Sequence, residues 1–161
     1  MQNPAPNHIE SMIKLNFPDY EFHIVEKDGK LTIFDTVRKK YVILTPEEWV
    51  RQHVIQFLSR EKQIPLALIK IESEIRLNKT RKRFDLAVFD RNGRALLLVE
   101  CKAPSVMVTG DVLDQAVRYN LAMQVGFLML TNGLQHIFCQ TGTGEGMYTL
   151  IRDLPSFKEM R

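Results

Sequence analysis

The spacing of apolar and polar positions divides the chain into stretches with different periods. From Tyr20 the pattern is strand-like: 21–26 and 31–35 flank Asp28-Gly29, a pair suited to a tight hairpin turn, and 38–44 reads as a third strand. These strands make a β-meander over 19–44, preceded by a Pro-containing stretch, 1–18, that reads as a poorly ordered lead-in. Thr45-Pro46-Glu47-Glu48 opens a helix, with Thr45 as N-cap, Pro46 at the first helical position and acidic residues where the helix dipole favours them. Val50, Val54, Phe57 and Leu58 recur at helical spacing and carry that helix to about residue 61.

Period two returns in 66–77, 83–90 and 95–101, read as three strands. The last two are apolar on both faces, which places them in the middle of a sheet. A helix over 111–124 follows, then strands at 127–130 and 134–138 around Asn132-Gly133. The helix between 95–101 and 127–130 is long enough for a crossover, so those two strands are expected to be parallel. The result is a mixed central sheet with helices on both sides: a three-layer α/β arrangement in αβββαβ order with one further strand. We expect a single domain over 19–161, built as the meander (19–44), a core (45–140) and a C-terminal extension (141–161). Thr141 to Gly146 reads as a flexible glycine-containing loop, because no helix pattern follows to make it a phosphate cradle.

Composition narrows the class. With 161 residues, 45% of them hydrophobic, the chain can bury a core without disulfides or metal staples. The longest apolar run, Ala95 to Val99, is far too short to cross a bilayer. No secretory pattern is visible at the amino terminus, and Cys101 and Cys139 have no metal or disulfide spacing, so a cytoplasmic protein is expected. A net charge of +3 does not by itself identify a nucleic-acid binder.

The charges inside the apolar hairpin are more informative. A two-residue type I′ turn at Asn92-Gly93 sets Phe89 opposite Leu96, Val88 opposite Leu97, Ala87 opposite Leu98 and Leu86 opposite Val99. The same register sets Asp85 opposite Glu100, with Lys102 on their face. Two carboxylates ~5 Å apart repel by roughly 3 kcal/mol at an effective dielectric of ~20. Lys102 could offset one charge, one carboxyl could stay protonated, or a divalent cation could bridge both. An oxygen-only pair suits Mg²⁺, which could activate a water and polarise a phosphoryl oxygen beside Lys102.

Phe84-Asp85, fourteen intervening residues and Glu100-Cys101-Lys102, set in αβββαβ order, resemble the PD-(D/E)XK nuclease superfamily. Phe84 stands where the superfamily name has proline. More narrowly, Thr-Pro-Glu-Glu-Trp-Val-Arg-Gln (45–52), Arg-Phe-Asp-Leu-Ala-Val (83–88), Val-Glu-Cys-Lys-Ala-Pro (99–104), Gln115 with Tyr119, and Leu-Thr-Asn-Gly (130–133) are similar to the amino-terminal nuclease domain of type I restriction enzyme R subunits. The resemblance implies a restriction-endonuclease-like fold and Mg²⁺-dependent hydrolysis of DNA, with Mn²⁺ as an alternative metal. It implies that Asp85 and Glu100 ligate the metal with the Cys101 carbonyl, that Lys102 is the catalytic lysine, and that Glu48, with Glu47 in reserve, completes the site. Gln115 and Tyr119 match a Gln-x-x-x-Tyr element beside the site. The helicase motor of a full R subunit has no room in these 161 residues, so a standalone form without translocation is expected.

Lys79, Arg81, Lys82 and Arg83, with Arg76, form a basic cluster next to Asp85 that would contact phosphates without reading sequence. The competing expectation is a catalytically silent nucleic-acid-binding or accessory module that works with a helicase or specificity partner. A third is an interaction protein that forms a homodimer through the meander.

Overall fold

The computed structural model describes residues 12–77, 80–142 and 147–161. Its first layer of organisation is the expected meander: β1 (Ile24–Lys27), β2 (Lys30–Asp35) and β3 (Lys40–Ile43) form an antiparallel three-stranded sheet. Asp28 and Gly29 both take positive φ, 52° and 73°, as a type I′ turn requires.

Helix α1 (Pro46–Gln56) starts as its sequence dictates. The Thr45 side chain accepts a hydrogen bond from the Glu48 N–H at 3.0 Å, Pro46 occupies the first turn, and Glu47 and Glu48 lie at the positive end of the dipole. The α-helix stops at Gln56 and continues as a wider π-helical turn over Phe57–Glu61, closed by Lys62 N–H to Phe57 O. A 3₁₀ turn at Leu66–Leu68 then leads into the large sheet.

That sheet has six strands in sequence order: β4 (Ile69–Leu77), β5 (Thr80–Phe89), β6 (Ala95–Cys101), β7 (Phe127–Thr131), β8 (His136–Thr141) and β9 (Tyr148–Ile151). Only β6 and β7 pair in parallel, joined through helix α2 (Gly110–Met123), and every other pair is antiparallel. Val50, Val54, Ile55 and Leu58 pack on Leu86, Val88, Leu97, Val99 and Met129 on one side. Leu113, Ala116 and Val117 pack on Phe84, Ala87, Leu98, Leu128 and Leu130 on the other. The three expected layers are present.

Four local expectations change. First, residues 12–18 are not loose: Leu15 is buried in the core, Asn16 N–H donates to Gly133 O at 2.8 Å, and the Trp49 indole N–H donates to Ile13 O. Leu15 and Phe17 carry enough apolar surface to dock this segment, and Phe17 lies against the rings of His53, Phe57 and His136. Gly133 makes the close approach feasible: it sits at φ 86°, and a Cβ there would lie 2.8 Å from Leu15 Cδ2. Residues 1–11 lie outside the described residues.

Second, Asn92-Gly93 does not form a two-residue turn. Only Gly93 takes a positive φ, and the Asp90 carboxylate accepts from the N–H groups of Asn92 and Arg94, giving a three-residue loop. A bulge follows, so Phe89 faces Ala95 rather than Leu96, while Leu86↔Val99, Ala87↔Leu98 and Val88↔Leu97 keep the expected register. Third, the strand expected at 66–77 starts only at Ile69. Fourth, the C-terminal stretch completes the fold: β9 extends the sheet, and helix α3 (Phe157–Met160) buries Phe157 and Met160. The expected loop at 141–146 lies mostly outside the described residues, and Gly142 N–H to Met147 O closes it at 2.8 Å.

Candidate active site

The centre of interest is the point where the ladders of β5 break. Between β4 and β5 the paired rungs run from Ile69↔Val88 to Ile71↔Leu86, skip Glu72, and resume at Ser73↔Phe84. Glu72 takes φ 52°, a left-handed conformation that costs an L-residue about 1–2 kcal/mol. In a regular strand Phe84 and Leu86 would share a face. Here Phe84 packs under α2 and Leu86 under α1, so the strand rolls over at Asp85.

On the β6 side, pairing reaches Leu86↔Val99 and goes no further. The expected rung between Asp85 and Glu100 is therefore not formed. The Asp85 carboxylate instead takes a backbone donor of the neighbouring strand: Cys101 N–H donates to Asp85 Oδ2 at 2.7 Å. Glu100 alternates with Val99 and Cys101, which face α1, so it shares the α2 side with Leu98. Asp85 therefore turns to the α1 side, towards Arg51, and Glu100 lies on the α2 side, rather than the two lying side by side on one face. The Cys101 thiol is buried in the α1-side cluster and is pushed well up, first by burial and then by the charge of Asp85, with Glu100 and Glu47 adding to it.

Lys102 follows directly, half-buried, with its N–H donating to Thr131 O at 2.8 Å. Among the described residues its ammonium makes no ion pair within 4.0 Å.

Helix α1 brings a second group of charges to Asp85. Arg51 is 6% exposed, yet its guanidinium reaches three carboxylates: Glu48 through Nη1, and Glu47 at 3.1 Å and Asp85 Oδ1 at 3.2 Å through Nη2. Burial opposes its charge, but Glu48 and Asp85 outweigh that cost and raise its pKa. Glu48, expected at the metal, has both oxygens engaged: Oε1 by Arg38 at 2.6 Å and Gln52 at 2.9 Å, and Oε2 by Arg51. It is held inside an ion-pair network, while Glu47 on the same turn keeps 44% of its side chain exposed.

The other expected residues are less concentrated. Gln115 is exposed and lines a cavity of about 630 Å³ with Asp111, Asp114 and Arg118 on the outer side of α2. The side chain of Tyr119 lies outside the described residues, as do those of Arg76 and Lys82, and Lys79 altogether. Arg81 is exposed, and Arg83 is exposed with an ion pair to Glu72 at 3.0 Å. The network that Arg51, Gln52, Arg38 and Asp35 form around Glu48 does not follow from the sequence. The signals for Arg51 are its spacings of four from Glu47 and three from Glu48, and its place in the 45–52 motif.

Among the described residues, no three His, Cys, Asp or Glu side chains converge in a metal-holding group. The donor set at the strand end is nonetheless all oxygen: Asp85, Glu100 and the Cys101 carbonyl. Hard oxygen donors in small number fit Mg²⁺ or Mn²⁺, which retain several waters.

No curated protein matches the chain. Its fold is similar to the fragment structure of a putative HsdR subunit of a type I restriction enzyme from Vibrio vulnificus YJ016, with a TM-score of 0.50 and 21% identity. That likeness covers 73% of this chain and 24% of the longer one, and it identifies a restriction-endonuclease-like fold. The family model for the type I restriction enzyme R protein N terminus matches residues 46–155, from the first turn of α1 past β9. The chain therefore belongs to the family of type I restriction enzyme R protein N termini.

Proposed function

We propose that the chain hydrolyses DNA phosphodiester bonds with Mg²⁺, or Mn²⁺ in its place, at the end of β5 and β6. The observation that carries this reading is the Asp85 carboxylate anchored on the Cys101 N–H, between Glu100 and Lys102, at a break in two strand ladders. Distorted backbone that the surrounding sheet holds in place is characteristic of functional sites.

Asp85, Glu100 and the Cys101 carbonyl hold the cation, with the half-exposed Glu47 of α1, ion-paired to Arg51, as the reserve ligand. A cation bound there supplies Lewis-acid charge to the phosphoryl group and lowers the pKa of a water. The chain's own groups do the rest. Cys101 N–H fixes the orientation of Asp85, and the Lys102 ammonium orients the attacking water and offsets charge developing on the phosphoryl oxygens. Exposed Arg81 and Arg83 hold the DNA backbone, and Gln115 and Tyr119, the Gln-x-x-x-Tyr element on α2, contact the DNA rather than the cation. A helicase or specificity protein is the partner this reading implies.

The deciding experiment is cleavage of labelled single-stranded, duplex and branched DNA with Mg²⁺, Mn²⁺ or EDTA. Native protein is compared with folded Asp85→Ala and Lys102→Ala variants. Metal-dependent cutting, reduced by about 10²–10³-fold or more in both variants, is expected. DNA binding without cutting would replace this reading with that of an accessory module.

A further inference from the structure

We infer that Asp35 and Arg38 of the meander are positioning residues for Asp85, acting through Glu48, Gln52 and Arg51. The inference rests on the proposed function only in taking Asp85 as a working group of the site. The family match begins at residue 46, so both residues lie in a part of the chain for which the family assigns no role.

Charges alternate along one continuous path from β2 to β5. Asp35 is fully buried and accepts four donors: Val37 N–H at 2.9 Å, Arg38 N–H at 2.6 Å, Arg38 Nε at 2.8 Å and Gln52 Nε2 at 2.8 Å. Arg38 then reaches over to Glu48 Oε1 at 2.6 Å, and Gln52 bonds that same oxygen at 2.9 Å. The second Glu48 oxygen takes Arg51 Nη1, and Arg51 Nη2 reaches Asp85.

The planar guanidinium makes this path directional. Among the described residues Arg51 Nε is buried without a partner, so the orientation of the fork is set by the carboxylates around its two terminal nitrogens. Glu48 fixes one terminal nitrogen and thereby aims the other at Asp85. Glu48 is itself oriented by Arg38 and Gln52, and both of these are tied to Asp35. Removing Arg38 leaves Glu48 with Arg51 as its one cation, which draws the fork towards Glu48 and away from Asp85.

A seam meant only to dock the meander could be apolar at lower cost, because buried charges must be fully paired merely to break even. This seam is ionic and ends on the residue anchored to Cys101.

The test uses the full chain and two readouts that do not depend on turnover. Amide hydrogen exchange of Cys101 reports its bond to Asp85, and Mn²⁺ binding followed by electron paramagnetic resonance reports the site. For Arg38→Met and for Asp35→Asn, Cys101 exchange should quicken by about tenfold relative to Leu98 and Val99 on the same strand. Mn²⁺ binding should weaken by about fivefold. Arg38→Lys keeps the charge but cannot span both carboxylates, so it should recover part of each effect and serves if Arg38→Met does not fold. The double variant Arg38→Met/Arg51→Met should show no faster Cys101 exchange than Arg51→Met alone. Lys27→Ala, on the exposed part of the meander, should change neither readout.

A lower Tm with unchanged relative exchange at Cys101 would overturn the inference, as would additive effects of the Arg38 and Arg51 variants. If the native chain binds no Mn²⁺, the metal reading of Asp85 fails while Cys101 exchange still decides the positioning role.

Discussion

The two faces of the central sheet solve the same packing problem with different chemistry. Under α2 the contacts are apolar: Leu113, Ala116 and Val117 lie on Phe84, Ala87, Leu98 and Leu130, and the polar residues Asp111, Asp114, Gln115 and Arg118 face outwards. Under α1 an equally apolar cluster surrounds Asp35, Glu48, Arg51 and Gln52, each no more than 6% exposed. Such a network is not the cheapest way to fill space, since desolvating charges costs several kcal/mol per ion before pairing offsets it. Its value lies in direction. Hydrogen bonds between charged groups fix angles that apolar contacts leave loose. The face that needs an oriented side chain, Asp85, is the one that carries the ionic path.

The sharpest way to break this contrast is to remove its central cation. Arg51→Met should lower stability by about 3–5 kcal/mol, because it strips a partner from buried Glu48 and leaves Asp85, among the described residues, with the Cys101 N–H alone. Urea unfolding measures this, and a loss below about 1 kcal/mol would mean that water replaces the guanidinium with little penalty. The matching change on the other face, Leu113→Ala, should cost about 2–4 kcal/mol by cavity formation and leave Cys101 amide exchange unaltered relative to its strand neighbours.

A smaller effect is expected where the amino-terminal segment docks. Gly133→Ala places a methyl group 2.8 Å from Leu15 Cδ2 and 3.0 Å from Val50 Cγ2 at a positive φ, and should destabilise by about 1–3 kcal/mol in thermal melts. Protease sensitivity around residues 12–18 should rise with it.

The smallest effect separates the faces by pH. His53 and His136, both beside Phe17, have their pKa values lowered from 6.5 by burial, against hydrogen bonds to Trp49 O and Asn16 O. The unfolded chain therefore binds protons first as pH falls. The stability that depends on neutral imidazole is complete above pH 6.5 and is lost progressively below it. Tm should drop modestly from pH 7.5 to 5.5, and His136→Phe should flatten that drop. An unchanged profile in the variant would place the acid sensitivity elsewhere.

Much of the fold follows from local chemistry that acts within a few residues. Thr45-Pro46-Glu47-Glu48 starts α1 wherever it is placed, Asp28-Gly29 closes its hairpin, and the doubly apolar run at β6 can only be an interior strand. Three rungs between β5 and β6 keep the register expected from an Asn92-Gly93 turn, because the bulge beyond Val88 offsets the extra loop residue. β9 and α3 carried no comparable signal, since Tyr148–Ile151 is short and two of its residues are exposed, and its strand state depends on β8 beside it.

The candidate site divides along the same line. Asp85, Glu100 and Lys102 stand out in the sequence because charges inside apolar strands are costly and therefore conspicuous. Their mutual geometry does not follow from the sequence, because regular alternation predicts a rung between Asp85 and Glu100 that the sheet does not form. The roll at Asp85, the left-handed Glu72 and the capture of Cys101 N–H are decided by two neighbouring ladders that must both be satisfied at once. The commitment of Glu48 to Arg38 and Arg51 is likewise decided in three dimensions, where Arg38, ten residues away, binds one Glu48 oxygen and Arg51 joins the other to Asp85, thirty-four residues from Arg51 in the chain. The sequence by itself determines which side chains are charged and which strands are buried. Only the tertiary structure decides which charges meet, because pairing depends on distances that chain separation does not set.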